Sequence, residues 1–144
     1  MREPNGEEKC PERRKHILLV DDEPDFLYSA TVALRGAGYD VTVAGSGADA
    51  LKMMIDAHNG GRRYSLLLTD IVMPGMSGLD LIAEMKRREI EIPVLVVTGV
   101  SDTVLISEFG NDGCMGYIQK PFQPPDLIGL VGRFLQQTEK EVEL

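Results

Sequence analysis

Cysteine is nearly absent from the 144-residue chain: Cys10 and Cys114 lie far apart and form no CxxC or metal-ligand spacing. That excludes a disulfide framework and a thiolate metal site, and a reducing, cytoplasmic setting is the expectation. Long hydrophobic runs are missing too. The longest, such as residues 17–20 and 94–97, fall far short of the roughly 20 residues that span a bilayer. The first ten residues hold no apolar stretch, so neither a secretory signal nor membrane association is expected. Basic charge is scarce: 15 Lys and Arg face 23 Asp and Glu, for a net charge of −8. No basic stripe interleaved with aromatics is present, so nucleic-acid binding by this chain alone is not expected. Repeats and low-complexity tracts are absent as well, and the length suits one domain.

What is present is a regular alternation. Residues 1–14 are polar, broken by Pro4, Gly6 and Pro11, and read as a disordered lead-in. Residues 139–144 are charged and read as a fraying tail, which leaves 15–138 as the domain and no room for a second one. Within it, short apolar runs occur at residues 17–20, 41–44, 66–68, 94–97 and 117–118. They are too short for helices and too continuous for a half-exposed antiparallel sheet, so they fit strands buried on both faces. Between and after them lie segments with helical spacing. Pro24 opens the first, Ser46 caps the second and Ser77 the third; Val104, Leu105, Ile106 and Phe109 mark a fourth, and Pro124 and Pro125 open a fifth. Five strands alternating with five helices predict a doubly wound α/β domain around a parallel sheet.

Ligands of such sheets bind at the carboxyl ends of the strands. The first run ends in Asp21-Asp22, the third in Asp70, the fourth in Thr98-Gly99 and the fifth in Lys120. The second ends in Ala44-Gly45 and bears no functional side chain. In the strand order 2-1-3-4-5 the four decorated strands are neighbours and the undecorated one is an edge. Each polar residue also has a plain structural reading: Asp22 or Glu23 as a helix cap, Thr98 as turn chemistry, Lys120 as a solvated rim residue. Together they form one chemical set. Clustered carboxylates repel until a hard divalent cation joins them, and all-oxygen ligation favours Mg²⁺. A metal, an ammonium and a hydroxyl around an aspartate suit the oxygens of a phosphoryl group, with Asp70 as its nucleophilic acceptor.

Four stretches then carry a family resemblance: residues 17–23 (ILLVDDE), 68–78 (LTDIVMPGMSG), 97–99 (VTG) and 116–122 (GYIQKPF). The sequence resembles the receiver domains of response regulators in two-component signalling, the family of the chemotaxis regulator, over about residues 15–138. The resemblance implies a single flavodoxin-like (βα)5 fold with strand order 2-1-3-4-5. It implies Asp70 as phosphoacceptor, with Mg²⁺ held by Asp22, Asp70 and the backbone carbonyl of Val72, and with Asp21 holding metal-bound water. Thr98 and Lys120 match the phosphate-contacting hydroxyl and amine, and Tyr117 the aromatic whose inward rotation reports phosphorylation. The implied donor is a sensor histidine kinase or phosphotransfer protein. The implied output is a change in the surface of the fourth helix, fifth strand and fifth helix, which engages a protein target or a second copy. Such a domain catalyses only its own phosphorylation and dephosphorylation. The chain departs from the family in a longer loop around Asn59-Gly60-Gly61 and a glycine-punctuated fourth helix.

Two rivals are weaker. Gly45-Ser46-Gly47-Ala48-Asp49-Ala50 matches the G-x-G-x-x-A of dinucleotide-binding turns, but it follows the edge strand and explains none of Asp21, Asp22, Thr98 or Lys120. A Mg²⁺-dependent phosphohydrolase acting through an aspartyl phosphate needs a second aspartate two residues past the nucleophile; here that residue is Val72. Val72 and Val100, two past Asp70 and Thr98, also lack groups to orient a hydrolytic water, which predicts a long-lived phosphoryl group.

Overall fold

Aliphatic runs of four or five residues become strands, and the amphipathic stretches between them become helices. The computed structural model describes residues 14–99, 115–120 and 122–143. In chain order these form β1 (His16–Val20), α1 (Pro24–Gly36), β2 (Asp40–Ala44), α2 (Gly47–Asn59), β3 (Leu66–Asp70), α3 (Gly78–Arg87), β4 (Val94–Thr98), β5 (Met115–Gln119) and α4 (Pro124–Glu143). Helix α4 corresponds to the fifth helix expected from the sequence. The expected fourth, around residues 104–109, lies outside the described residues, as do Cys10, Val100 and Cys114. Helix α4 extends to Glu143, through most of the charged tail at 139–144.

All strand pairs are parallel, in the order β2-β1-β3-β4-β5. Because successive side chains of a strand point to opposite faces, the sheet divides the core in two. Leu18, Val20, Leu67, Val94 and Val96 pack with Ala50 and Met54 of α2 and Leu81, Ile82 and Met85 of α3. Ile17, Leu19, Leu66, Leu68, Leu95 and Val97 pack with Ala30 and Leu34 of α1 and Leu127, Val131 and Phe134 of α4. Burying one such large side chain contributes about 1.5–3 kcal/mol, so these two layers hold the strand ends in place. The undecorated β2 is an edge, and Val43 on it is exposed.

Local chemistry fixes the helix starts. The Ser46 hydroxyl accepts from the Asp49 N–H at 3.1 Å. Ser77 and Asp80 form a reciprocal capping box at the start of α3. Helix α1 starts at Pro24, but neither Asp22 nor Glu23 caps it: the Glu23 side chain makes no cap bond, and the Glu23 N–H donates to Asp21 Oδ1 at 2.9 Å. Pro24 suits the first helical position because its fixed φ is helical and the N–H it lacks would have had no intrahelical partner. Gly47 has a packing role: a Cβ there would stand 2.7 Å from the Met76 carbonyl oxygen, so the loop after β3 leans on the first turn of α2. Among the described residues, no helix is long and apolar enough to cross a membrane.

Candidate functional site

Sheet register assembles the site. Val20 pairs with Thr69, so the next residue on each strand, Asp21 and Asp70, stand side by side. Asp70 pairs with Val97 and Val97 with Ile118, so Lys120 lies two steps beyond the aspartate row. That is about 6–7 Å along a strand, which the four-carbon lysine stem spans. Its Nζ returns to 3.7 Å from Asp70 Oδ2, 3.9 Å from Asp21 Oδ2 and 3.8 Å from Glu23 Oε1. The ammonium is shared among three carboxylates rather than hydrogen-bonded to one. Gly78 closes the loop behind Asp70. Its N–H donates to the Ile71 carbonyl at 2.7 Å, and a Cβ on it would collide with the Asp70 carbonyl oxygen.

Burial sets the electrostatics. Asp21 is fully buried, and its Oδ2 has no hydrogen-bond partner among the described residues. Desolvation pushes its carboxyl up to about 6, opposed by the Glu23 N–H and reinforced by the Asp70 charge. Burial also raises Asp70, against the pull of Lys120 and the backbone N–H groups of Ile71 and Val72. The Ile71 N–H donates to Asp70 Oδ1 at 2.8 Å. Asp22 is exposed at the rim. Four carboxylates with one ammonium leave an excess of negative charge that a divalent cation or protonation relieves.

Asp21, Asp22 and Asp70 each direct one carboxylate oxygen into a group within 4.8 Å of one another. Oxygens around an octahedral ion with bonds of about 2.1 Å lie about 3.0 to 4.2 Å apart, so carboxylates grouped this closely reach Mg²⁺ by small side-chain adjustments or through its water. The unpartnered Asp21 Oδ2 is the kind of buried acceptor that such an ion or its water satisfies. The donor set is all oxygen, which disfavours zinc. These residues fit a hard divalent cation.

The structure thus brings together Asp21, Asp22, Asp70 and Lys120. Thr98 ends β4 with its backbone paired to Gln119, while its side chain lies outside the described residues. Val72 is 64% exposed beside the site. Tyr117 is 49% exposed on β5, paired with Val96. Sequence reasoning missed two participants. Glu23, read as a cap, faces Lys120. Phe26, which helical spacing with Leu27, Ala30 and Leu34 marks as core, lies under the lysine, with Nζ 5.1 Å from its ring centroid. Only its place one turn after Asp22 signals proximity.

Comparison with known proteins bears on this geometry. The family model for the response regulator receiver domain matches residues 17–132. The DNA-binding response regulator MtrA of Mycolicibacterium smegmatis is 34% identical over 128 residues, covering 89% of this chain and 54% of that protein. Response regulator SaeR of Staphylococcus aureus is 30% identical over 128 residues, covering 87% and 52%. The chain therefore spans about half the length of the curated relatives it matches. Among solved structures, a Clostridium thermocellum receiver domain protein superposes with TM-score 0.77 at 25% identity, covering 90% of this chain and 99% of that one. Vibrio cholerae chemotaxis protein CheY4 superposes with TM-score 0.72 at 27% identity, covering 84% and 98%.

Proposed function

Because the chain belongs to the response regulator receiver domain family, whose members are phosphorylation-dependent signalling switches rather than classical enzymes, we propose that Asp70 is its phosphoacceptor. The observation that carries this reading is the meeting of Asp70 with Asp21, Asp22 and Lys120 at one edge of the sheet. Receiver domains take their phosphoryl group from histidine kinases or phosphotransfer proteins. In the step assigned here, an Asp70 carboxylate oxygen attacks the phosphorus of a phosphohistidine. The P–N bond breaks, its electron pair returns to the imidazole, and Asp70 carries the resulting acyl phosphate. Lys120, a mobile point charge 3.7 Å from Asp70, favours the ionised nucleophile and then pairs with the phosphoryl oxygens. Asp22, Asp70 and the Val72 carbonyl, with Asp21 through water, would hold Mg²⁺. When bound, such an ion would supply charge neutralisation for the transferred group.

In this reading Thr98 closes on the phosphoryl group and Tyr117, exposed in this structure, turns inward to change the β5 face. That face then engages a protein target or a second copy. We keep as proposals a domain spanning residues 15–138, a cytoplasmic site of action, and the absence of nucleic-acid binding by these 144 residues; the last rests on the net charge of −8. DNA binding is stated for the full-length mycobacterial relatives, of which this chain matches about half.

Acetyl phosphate and intact-mass spectrometry test the assignment. The expected result is one phosphoryl addition with Mg²⁺, lost in a chelator and lost in Asp70→Asn. Equal labelling of Asp70→Asn, or labelling indifferent to the chelator, overturns it.

A further inference from the structure

We propose that Phe26 is a positioning residue for Lys120: its ring face, braced by Phe122, holds the ammonium where it serves the phosphoryl group. This rests on the reading of Asp70 as phosphoacceptor. The Lys120 Nζ lies 5.1 Å from the Phe26 ring centroid, within the reach of a cation–π contact. It also stands 3.7–3.9 Å from Asp70, Asp21 and Glu23, beyond hydrogen-bond distance from each. Among the described residues, therefore, no short side-chain bond fixes the charge. A flexible lysine stem, one-third exposed, has many rotamers open to it, several of which carry the ammonium into solvent.

The aromatic surface supplies the missing constraint. Phe26 sits in the first turn of α1, tied to the β1 end by Pro24 and by the Glu23 N–H bond to Asp21. Phe122 meets it edge to face, with centroids 6.0 Å apart and planes at 84°. Both rings pack against the core layer of α1 and α4. The negative ring face attracts the ammonium without neutralising it, and leaves its N–H groups directed at the carboxylates and an incoming phosphoryl oxygen. The ring acts on phosphotransfer only through the lysine.

The test compares the full chain with Phe26→Leu, Phe26→Tyr, Lys120→Met and the pair Phe26→Leu/Lys120→Met. Two readouts are used: the ring-current shift of the Lys120 ε-methylene protons by NMR, and the rate of labelling by acetyl phosphate. In the wild type and Phe26→Tyr those protons are expected upfield of an ordinary lysine, and in Phe26→Leu at the ordinary position. Labelling slows about fivefold in Phe26→Leu, equivalent to about 1 kcal/mol. It stays near the wild-type rate in Phe26→Tyr, and Phe26→Leu adds no further loss once Lys120 is Met. Ordinary ε-methylene shifts in the wild type overturn the inference even if Phe26→Leu does not fold. An equal Phe26→Leu effect in the Lys120→Met background overturns it too. Because the NMR readout needs no phosphorylation, failure of the Asp70 assignment, seen as labelling of Asp70→Asn, is distinguished from failure of this inference.

Discussion

Among the described residues, Asp21 has an environment at odds with its charge: fully buried, one oxygen without a hydrogen bond, its carboxyl held at about 6. For an acid whose folded value lies above its unfolded one, the native state binds the extra proton. Without metal, native stability therefore falls as pH rises from about 4 to 6. Asp21→Asn removes that titration. In metal-free urea unfolding the variant is expected to exceed the wild type by on the order of 2 kcal/mol above pH 6, with the gap closing below pH 4. Mg²⁺ is expected to stabilise the wild type and to act much less on the variant. A gap independent of pH contradicts this account of the buried charge. Another prediction concerns the phosphoryl lifetime. Val72 and Val100 offer no group to align a hydrolytic water, so the double variant Val72→Asn/Val100→Glu is expected to dephosphorylate about tenfold faster, about 1.4 kcal/mol of barrier. An unchanged decay rate rules that out.

Among the elements, the close approach of α4 to β5 depends on Gly116. A Cβ there would stand 2.9 Å from Phe134 Cε1 and 3.3 Å from Leu95 Cδ1, so the buried Phe134 ring must shift to admit it. Gly116→Ala is expected to cost about 1–3 kcal/mol in denaturant unfolding, and a variant as stable as the wild type contradicts the packing argument. Strands and strand order were legible because the chemistry sits in the pattern: four apolar runs end in polar side chains and one does not. Asp21, Asp22, Asp70 and Lys120 were legible for the same reason, each standing at or just past a strand end. Phe26 was not, because helical spacing marks a phenylalanine as core and says nothing of a lysine arriving from β5. The tight seats of Gly47 and Gly78 were hidden likewise, since contacts with Met76 and Asp70 form only when the loop after β3 folds over them.

For the whole molecule, one negative edge of a parallel sheet is joined through β5 to an exposed tyrosine. Phosphorylation adds charge at the edge, and the expected readout is altered association through the Tyr117 face, measured by sedimentation with and without phosphodonor. Identical sedimentation alone and with the protein target in both states contradicts it, as does sequence-specific DNA binding by the 144 residues at physiological salt. The central claim is that Asp70 carries the phosphoryl group. Borohydride reduction of the freshly phosphorylated protein converts an aspartyl phosphate to homoserine, and peptide mass spectrometry then locates it. Homoserine is expected at position 70 alone, and only when Mg²⁺ was present during phosphorylation; homoserine at another aspartate, or none in a phosphorylated sample, contradicts the assignment.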